Sequence, residues 1–571
     1  MGKPPVGNLR FKRPEPVGPW PGVFRATKRS NACYNVYDGV FGKFAGSDMW
    51  NPYEPQSEDC LYINAWVPNP DDQATKKPIM VWIYGGGFYS GSSTLDVYDG
   101  RYLAASQNVI VISMQYRLGI LGFLNLESED APGNMGLLDQ VMGLQWTQDN
   151  ADFLYGDKNN VTILGESAGS VSVSLHLIST KSRNLFNRAI MQSGTSVGDW
   201  TLMSSESSWY RLNTTIFGAD VGCKERTSHV PTLMKCLRSV DAGALFNGTW
   251  APTGLIQFSW LPSIDYYFLS EKPETSLREG RFKRCPILIG SNENEGSWFL
   301  VYEFYDEFHR FYNQPEISFP IPYSKHVEYM DQAFKYYPQW PEHLNKFGKD
   351  AITFRYTDWR NKDDSTLNLK NLDMAVSDYH FLCPTNKYAH YFVLAGLDVY
   401  YYYFRHRSSR NEWGEWMGVM HGDEVAYMFG VPIRPDSSYT DDEKALSMHM
   451  MQLWANFSKT GNPNSQGDRS GRLDWPTATP LGREYYELSV ESMNNPTYGS
   501  GPRTEYCAFW EQYLPKLVVD TADISDMEKE WKEKFAEWNT QYIVNWKHEY
   551  NKYMQEQYGE IDCVEKSEAD R

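Results

Sequence analysis

The chain has 571 residues, 41% hydrophobic and 15% aromatic, so it can bury a large core and lies far from the low-hydrophobicity regime of disordered chains. A formal charge of −18 argues against nucleic acid as a partner and favours cationic or neutral ligands. No run approaches the ~18 uninterrupted apolar residues that a transmembrane helix needs.

In chain order, the start MGKPPVGNLRFKRPEP lacks the apolar stretch of a signal peptide. KPIMVWIYGGG then reads as a buried strand ending in a glycine run, and NVIVISMQY, VTILG, RAIMQSG and CPILIGSN read as further short apolar strands, with helical stretches such as Leu137 to Phe153 between several of them. That alternation predicts a mostly parallel sheet covered by helices. From about Leu517 glycine almost vanishes, charges and aromatics dominate, and the segment to Tyr558 reads as one long helix, so a domain boundary is placed there. The eight cysteines, at 33, 60, 223, 236, 285, 383, 507 and 563, allow many pairings. Together with glycosylation sequons at Asn160, Asn213, Asn247 and Asn456 they point to an oxidising, extracytoplasmic destination. Asn160 abuts the strand VTILG and is the weakest of the four.

The stretch VTILGESAGSVSVSLHLIS carries the chemistry. A short strand, the turn Gly165-Glu166-Ser167-Ala168-Gly169 and an apolar-periodic helix make a nucleophile elbow, in which flanking glycines avoid clashes and the serine hydroxyl is pushed above the sheet. The five-residue pattern also occurs in ordinary tight turns, so partners are required. A serine hydroxyl needs an imidazole to take its proton and a carboxylate to orient that imidazole, and in this type of chain they follow in the order serine, acid, histidine. Glu293 and Glu295, just past CPILIG, are the acid candidates. Of eleven histidines, His421 in MGVMHGDEVAYMFG follows a glycine-containing turn and precedes a helix, as a loop-borne base should, whereas His380 and His406 read as structural. Gly85-Gly86-Gly87 after MVWIY offers unobstructed backbone N–H groups for an oxyanion, each worth ~3–4 kcal/mol in a transition state.

SEDCLYINAWVP, VWIYGGGFYSGSSTLDVYDG, PGNMGLLDQ, GESAG and the tail together resemble the cholinesterases of the carboxylesterase family, in their tailed form, over nearly the whole chain. The resemblance implies an α/β-hydrolase fold for 1–516 and an amphipathic tetramerisation helix for 517–571. It implies a serine hydrolase, without metal or cofactor, that cleaves acetylcholine to choline and acetate through an acyl-enzyme and terminates cholinergic transmission. It selects Ser167, Glu295 and His421 as the catalytic residues and Gly86, Gly87 and Ala168 as the oxyanion donors. Trp50 becomes the face for the quaternary ammonium, a contact of ~2 kcal/mol when desolvated, with Glu166, Tyr98 and Trp298 around it; Phe299 and Trp200 also bind substrate, and Phe258 and Ile256 fall at the acyl pocket. Asp38, Tyr89, Tyr302 and Trp250 would line the gorge and its mouth, where Val36 replaces a common aromatic. Ile256 stands where acetyl-selective relatives carry phenylalanine, which implies a roomier acyl pocket.

The resemblance further pairs Cys33 with Cys60, Cys223 with Cys236 and Cys383 with Cys507, leaving Cys285 free and Cys563 available to another chain. Family members carry further N-terminal strands before a segment like PPVGNLRF, so such strands are expected to be missing here. In the tail, Trp531, Phe535, Trp538, Tyr542, Trp546, Tyr550 and Tyr553 fall within an arc of about 120° on one helical face at ~100° per residue. Similar tails gather four helices around an extended proline-rich anchoring subunit, implying a secreted tetramer held at a synaptic matrix or membrane by that partner; packing of the stripe on the chain's own body is the alternative. Two other functions compete with acetylcholine hydrolysis. A non-enzymatic adhesion relative commonly lacks a triad member, whereas all three are present. A general carboxylesterase has no need of Trp50, Trp298 and the aromatic tail.

Overall fold

The short apolar runs become neighbouring strands because residues buried on both faces of a sheet leave no solvent side for alternation. In the computed structural model, which describes residues 2–68, 75–208, 212, 223, 229–249, 254–317, 319–337, 344–464, 474–522 and 526–558, nine strands form the main sheet. They are β1 (Ile63–Trp66), β2 (Lys77–Ile83), β3 (Ile110–Met114), β4 (Gly156–Glu166), β5 (Arg188–Gln192), β6 (Ile287–Asn292), β7 (Val399–Phe404), β8 (Glu484–Leu488) and β9 (Tyr498–Ser500). Their order is β1-β3-β2-β4-β5-β6-β7-β8-β9, antiparallel only at the two edge pairs β1·β3 and β8·β9. The registers Ile83↔Gly165 and Glu166↔Gln192 bring the carboxyl ends of β2, β4 and β5 level along one edge. Ligands of open α/β sheets bind outside that edge.

Six helices bear on the site: α1 (Met135–Asn150), α2 (Ala168–Ile178), α3 (Ser297–Glu303), α4 (Ser365–Ser377), α5 (Asp441–Thr460) and α6 (Leu514–Asp520). α1 stops three residues before the expected Phe153: a 3₁₀ turn, Ala151–Leu154, follows it and Tyr155 reverses the chain at φ 58°. α2 is buried on every face, which its small and apolar residues permit. α5 starts in a reciprocal cap between Thr440 and Glu443 and ends at Gly461, whose φ of 85° suits glycine. A buried bidentate pair, Arg117 Nε and Nη2 to Asp139 at 2.8 Å each, ties the chain after β3 to α1.

The disulfides Cys33–Cys60, Cys223–Cys236 and Cys383–Cys507 are formed, and Cys285 is buried and free. The expected boundary at Leu517 falls inside α6. Leu514 is fully buried, and Asn345 Nδ2 donates to Thr521 Oγ1 at 2.9 Å, so α6 belongs with the catalytic body. Beyond it Asp526–Glu537, a π turn at Trp538–Tyr542 and Ile543–Tyr558 form the tail. Its aromatic stripe faces outward, Trp531 and Trp546 each 62% exposed and Trp538 50%. The stripe therefore does not pack on the chain's own body.

Candidate active site

Ser167 occupies the single residue between β4 and α2, at φ 57° and ψ −125°, a conformation that L-residues avoid. The neighbouring glycines are required by contact. A Cβ on Gly165 would lie 2.5 Å from the carbonyl carbon of Gly169, and one on Gly169 would lie 2.0 Å from the Ile83 carbonyl oxygen. Only with bare backbone at both positions can α2 start so close to β2 and leave the hydroxyl at the sheet edge. Across from it, Gly86 and Gly87 take φ of 107° and 58°. Among the described residues no hydrogen bond engages the N–H of Gly86, Gly87 or Ala168, so three donors remain for an oxyanion.

The acid turn follows β6, and His421 is brought to it from a loop 126 residues away. Its Nδ1 lies 2.6 Å from Glu295 Oε2, while Glu295 Oε1 accepts from Asn292 N at 2.6 Å. Glu293, the competing acid, is turned away and paired with Arg405 at 3.1 Å. His380 is buried, and burial pushes its imidazole down to about 3, while His406 sits 3.4 Å from Glu443 away from the site. Nε2 of His421 lies 3.1 Å from Glu166 Oε1 without the alignment of a hydrogen bond, and no hydrogen bond joins it to Ser167 among the described residues. Catalytic hydrogen bonds commonly tighten only when substrate is bound.

The imidazole is surrounded by carboxylates. Burial drives its pKa down, but Glu166, Glu295 and Glu424 outweigh burial and hold it above the ordinary histidine value. Glu166 is raised by burial, with His421 opposing and Glu424 and Glu295 adding to the rise. Glu424, absent from the sequence reading, is fully buried and accepts from Gln192 Nε2 at 3.0 Å and Asn292 Nδ2 at 2.6 Å. The only local signal for it was its place three residues after His421.

A cavity of about 610 Å³ reaches this centre. Trp50, Tyr98, Glu166, Trp298, Ile256, Phe258 and Phe299 line it, with Asp38, Tyr89, Tyr302 and Val36 also on its walls. The Tyr302 hydroxyl donates to Asp38, whose backbone is clamped by Asn51, the residue after Trp50, through bonds of 2.8 and 2.7 Å. Trp200 does not line the cavity. It stands behind Phe258, 5.7 Å away edge-on, and its Nε1 donates to the His380 carbonyl. Trp250 lies outside the described residues.

Two aromatics were missed in the sequence because nothing local marks them. Trp413 packs edge-on against Trp298 at 5.1 Å and Phe44 at 4.8 Å, backing the wall that carries Trp50. Phe381 stacks on Phe299 at 5.4 Å, reaches Trp200 at 5.8 Å and lies 4.6 Å from the His421 ring. Phe381 thus backs Phe299, which lines the same cavity as Ile256.

Of the sequons, Asn247 is exposed and Asn456 half-buried, its Nδ2 donating to the Pro463 carbonyl at 3.1 Å. Asn160 is half-buried, and its side-chain amide is engaged on both sides, donating to the Lys459 carbonyl and accepting from Arg188. Asn213 and Cys563 lie outside the described residues.

A serine elbow at the carboxyl edge of a mostly parallel sheet, with its histidine and acid in that chain order, places the fold among the α/β hydrolases. Residues 1–510 match the Carboxylesterase family, and the chain belongs to that family. Its relatives include acetylcholinesterase of Bungarus fasciatus, 40% identical over 558 residues, covering 97% of this chain and 88% of the relative. That of Electrophorus electricus is 40% identical over 596 residues, covering 98% and 90%. Acetylcholinesterase 1 of Caenorhabditis elegans is 39% identical over 566 residues, covering 97% and 90%.

Two measurements test the geometry. In Glu166→Gln the imidazolium of His421 loses an anion 3.1 Å away, so its pKa, followed by ring-proton NMR, should fall; an unchanged or higher value would contradict the electrostatic picture. In Phe381→Val, removal of the ring beside Phe299 should raise the ratio of nitrophenyl butyrate to nitrophenyl acetate hydrolysis about tenfold, the scale of methylene discrimination in apolar pockets. An unchanged ratio would remove Phe381 from the acyl wall.

Proposed function

We propose that this protein is a serine esterase that hydrolyses acetylcholine and related choline esters, as the activity named for its relatives suggests. The observation that carries the reading is the coincidence, in one cavity, of Ser167 with His421 and of Trp50 with Glu166. A quaternary ammonium offers no hydrogen bond, so an indole face flanked by Tyr98 and Trp298, with a carboxylate near, suits it.

In this mechanism Ser167 Oγ attacks the ester carbonyl and its proton passes to His421 Nε2. Glu295 stabilises the imidazolium, and the N–H groups of Gly86, Gly87 and Ala168 hold the oxyanion. The C–O bond breaks, choline leaves with that proton, and the acetyl group stays on Ser167 Oγ as an ester. Water then gives a proton to His421 and its hydroxide to the acyl carbon, releasing acetic acid and restoring the serine. Because the acting base must be neutral, turnover is lost as pH falls through the pKa of His421.

The experiment is hydrolysis of acetylcholine beside its uncharged isostere, 3,3-dimethylbutyl acetate. Ser167→Ala should lower kcat on both at least about 10⁴-fold. Trp50→Ala should raise KM for acetylcholine about 30-fold, the size of a desolvated cation–π contact, and leave the isostere within about threefold. Equal losses on both substrates would favour a general carboxylesterase instead.

The tail supports a second element of the proposal. An exposed aromatic stripe from Trp531 to Tyr553, as the helices at Asp526–Glu537 and Ile543–Tyr558 carry it, suits an extended proline-rich ligand. We infer tetramers gathered on such an anchoring subunit, with Cys563 linking chains, in an extracellular, synaptic setting. The disulfides and the sequons at Asn247 and Asn456 fit that setting, and among the described residues no helix is long and apolar enough to cross a membrane. Truncation after Thr521 should leave kcat and KM unchanged and sediment as a smaller species; tetramers that persist without the tail would refute the assignment.

A further inference from the structure

The acid turn and the histidine loop are joined by more than the Glu295–His421 bond. Asn294, immediately before Glu295, faces three ways. Its backbone N–H donates to the Val419 carbonyl at 2.9 Å and its Oδ1 accepts from Val419 N at 3.0 Å. Its Nδ2 donates to Asp373 Oδ2 on α4 at 2.7 Å. Asp373 is 5% exposed and has no cationic partner in any hydrogen bond or ion pair among the described residues; its other oxygen accepts from Ser377 Oγ at 3.1 Å. Ser377 Oγ in turn accepts from Gly296 N, on the far side of Glu295, at 2.8 Å.

Both neighbours of the acid are therefore fastened to one pair of side chains a helical turn apart on α4, and Asn294 carries the connection on to the segment that ends in His421, beside the bonds of Asn292 Nδ2 to the Met420 carbonyl at 2.8 Å and Ser297 Oγ to the Met417 carbonyl at 2.7 Å. The approach is close. A Cβ on Gly418 would lie 2.2 Å from Asn294 Oδ1, and one on Gly296 would lie 2.7 Å from the Asp373 carbonyl. A buried carboxylate costs free energy unless it is well bonded, and here its bonds go to Asn294 on one side of the acid and to Ser377, which in turn holds Gly296 on the other.

We propose that Asn294 and Asp373 form a strut that sets the distance between Glu295 and His421, acting as positioning residues for proton transfer. The inference rests on the triad reading above, but concerns residues that touch neither substrate nor the reacting atoms. The physical ground is that misplacement of a reacting group by ~1 Å costs on the order of 10²-fold in rate, whereas Trp50, Tyr98 and Glu166 of the ammonium-binding wall stand on other elements and only Trp298 follows the acid turn, on α3.

The test uses the full chain with Asn294→Ala, Asp373→Leu and Asp373→Asn. Asn294→Ala and Asp373→Leu should each lower kcat about 30-fold, with KM for acetylcholine and the inhibition constant of phenyltrimethylammonium within about twofold of wild type. Asp373→Asn keeps an acceptor for Asn294 Nδ2 and should restore kcat to within about threefold. The low-field proton resonance of His421 Nδ1–H should move upfield or exchange away in the first two variants and stay in the third. Unchanged kcat and resonance in Asp373→Leu would overturn the strut, as would parallel changes in kcat and inhibitor affinity. If Asn294→Ala does not fold, the Asp373 pair decides. If the wild type hydrolyses no ester, the proposed function fails, and the resonance still decides the strut.

Discussion

The site depends on how closely the first turn of α2 approaches the end of β2. With 2.0 Å between a notional Cβ on Gly169 and the Ile83 carbonyl oxygen, any side chain there would push the helix off the sheet and carry Ser167 with it. The close approach forces the serine into positive φ, and that backbone strain is held by the strand pairs β2·β4 and β4·β5 on either side. The surrounding sheet thus over-determines a conformation the turn alone would not keep.

Around that fixed serine, the chemistry is governed by charge in a place with little water. One imidazole is near three buried carboxylates, Glu166, Glu295 and Glu424. Their joint effect outweighs burial and favours the imidazolium, the species a proton-accepting base forms as a tetrahedral intermediate appears. Glu166 also lines the cavity beside Trp50, so under the proposed function one carboxyl group would bear on both the base and the bound cation. The cost is a base that stays protonated to higher pH than an ordinary histidine. The chain's overall charge of −18 extends the attraction for cations outward from the cavity.

Much of this was legible in the residues. The elbow, the glycine run and the five buried strands announce themselves because each is a local pattern with a local physical cause: bare backbone where chains must approach, or continuous apolar runs where both faces are covered. β7, with its run of tyrosines, the edge strands β1 and β9, and β8 next to the edge did not stand out, since short strands near an edge carry little periodicity. The choice between Glu293 and Glu295 could not be made from spacing, as both lie just past the same strand. It was decided by direction: Glu295 turns inward to His421 and Glu293 outward to Arg405.

The sequence by itself determined the order of strands and helices, the nucleophile and the stripe on the tail, because these follow from neighbours within a few positions. Only the tertiary structure decided which distant groups share a volume. Phe381 against Phe299, Trp413 behind Trp298, Glu424 bonded to Gln192 and Asn292 and the Asn294–Asp373 link all join segments tens to more than a hundred residues apart, and no local periodicity encodes such a meeting. It likewise decided that Asn160 is consumed by Arg188 and the Lys459 carbonyl, and that α6 packs on the body while the aromatic stripe remains outside. A sequon or an amphipathic face states what a segment can do, and packing decides what is left free to do it.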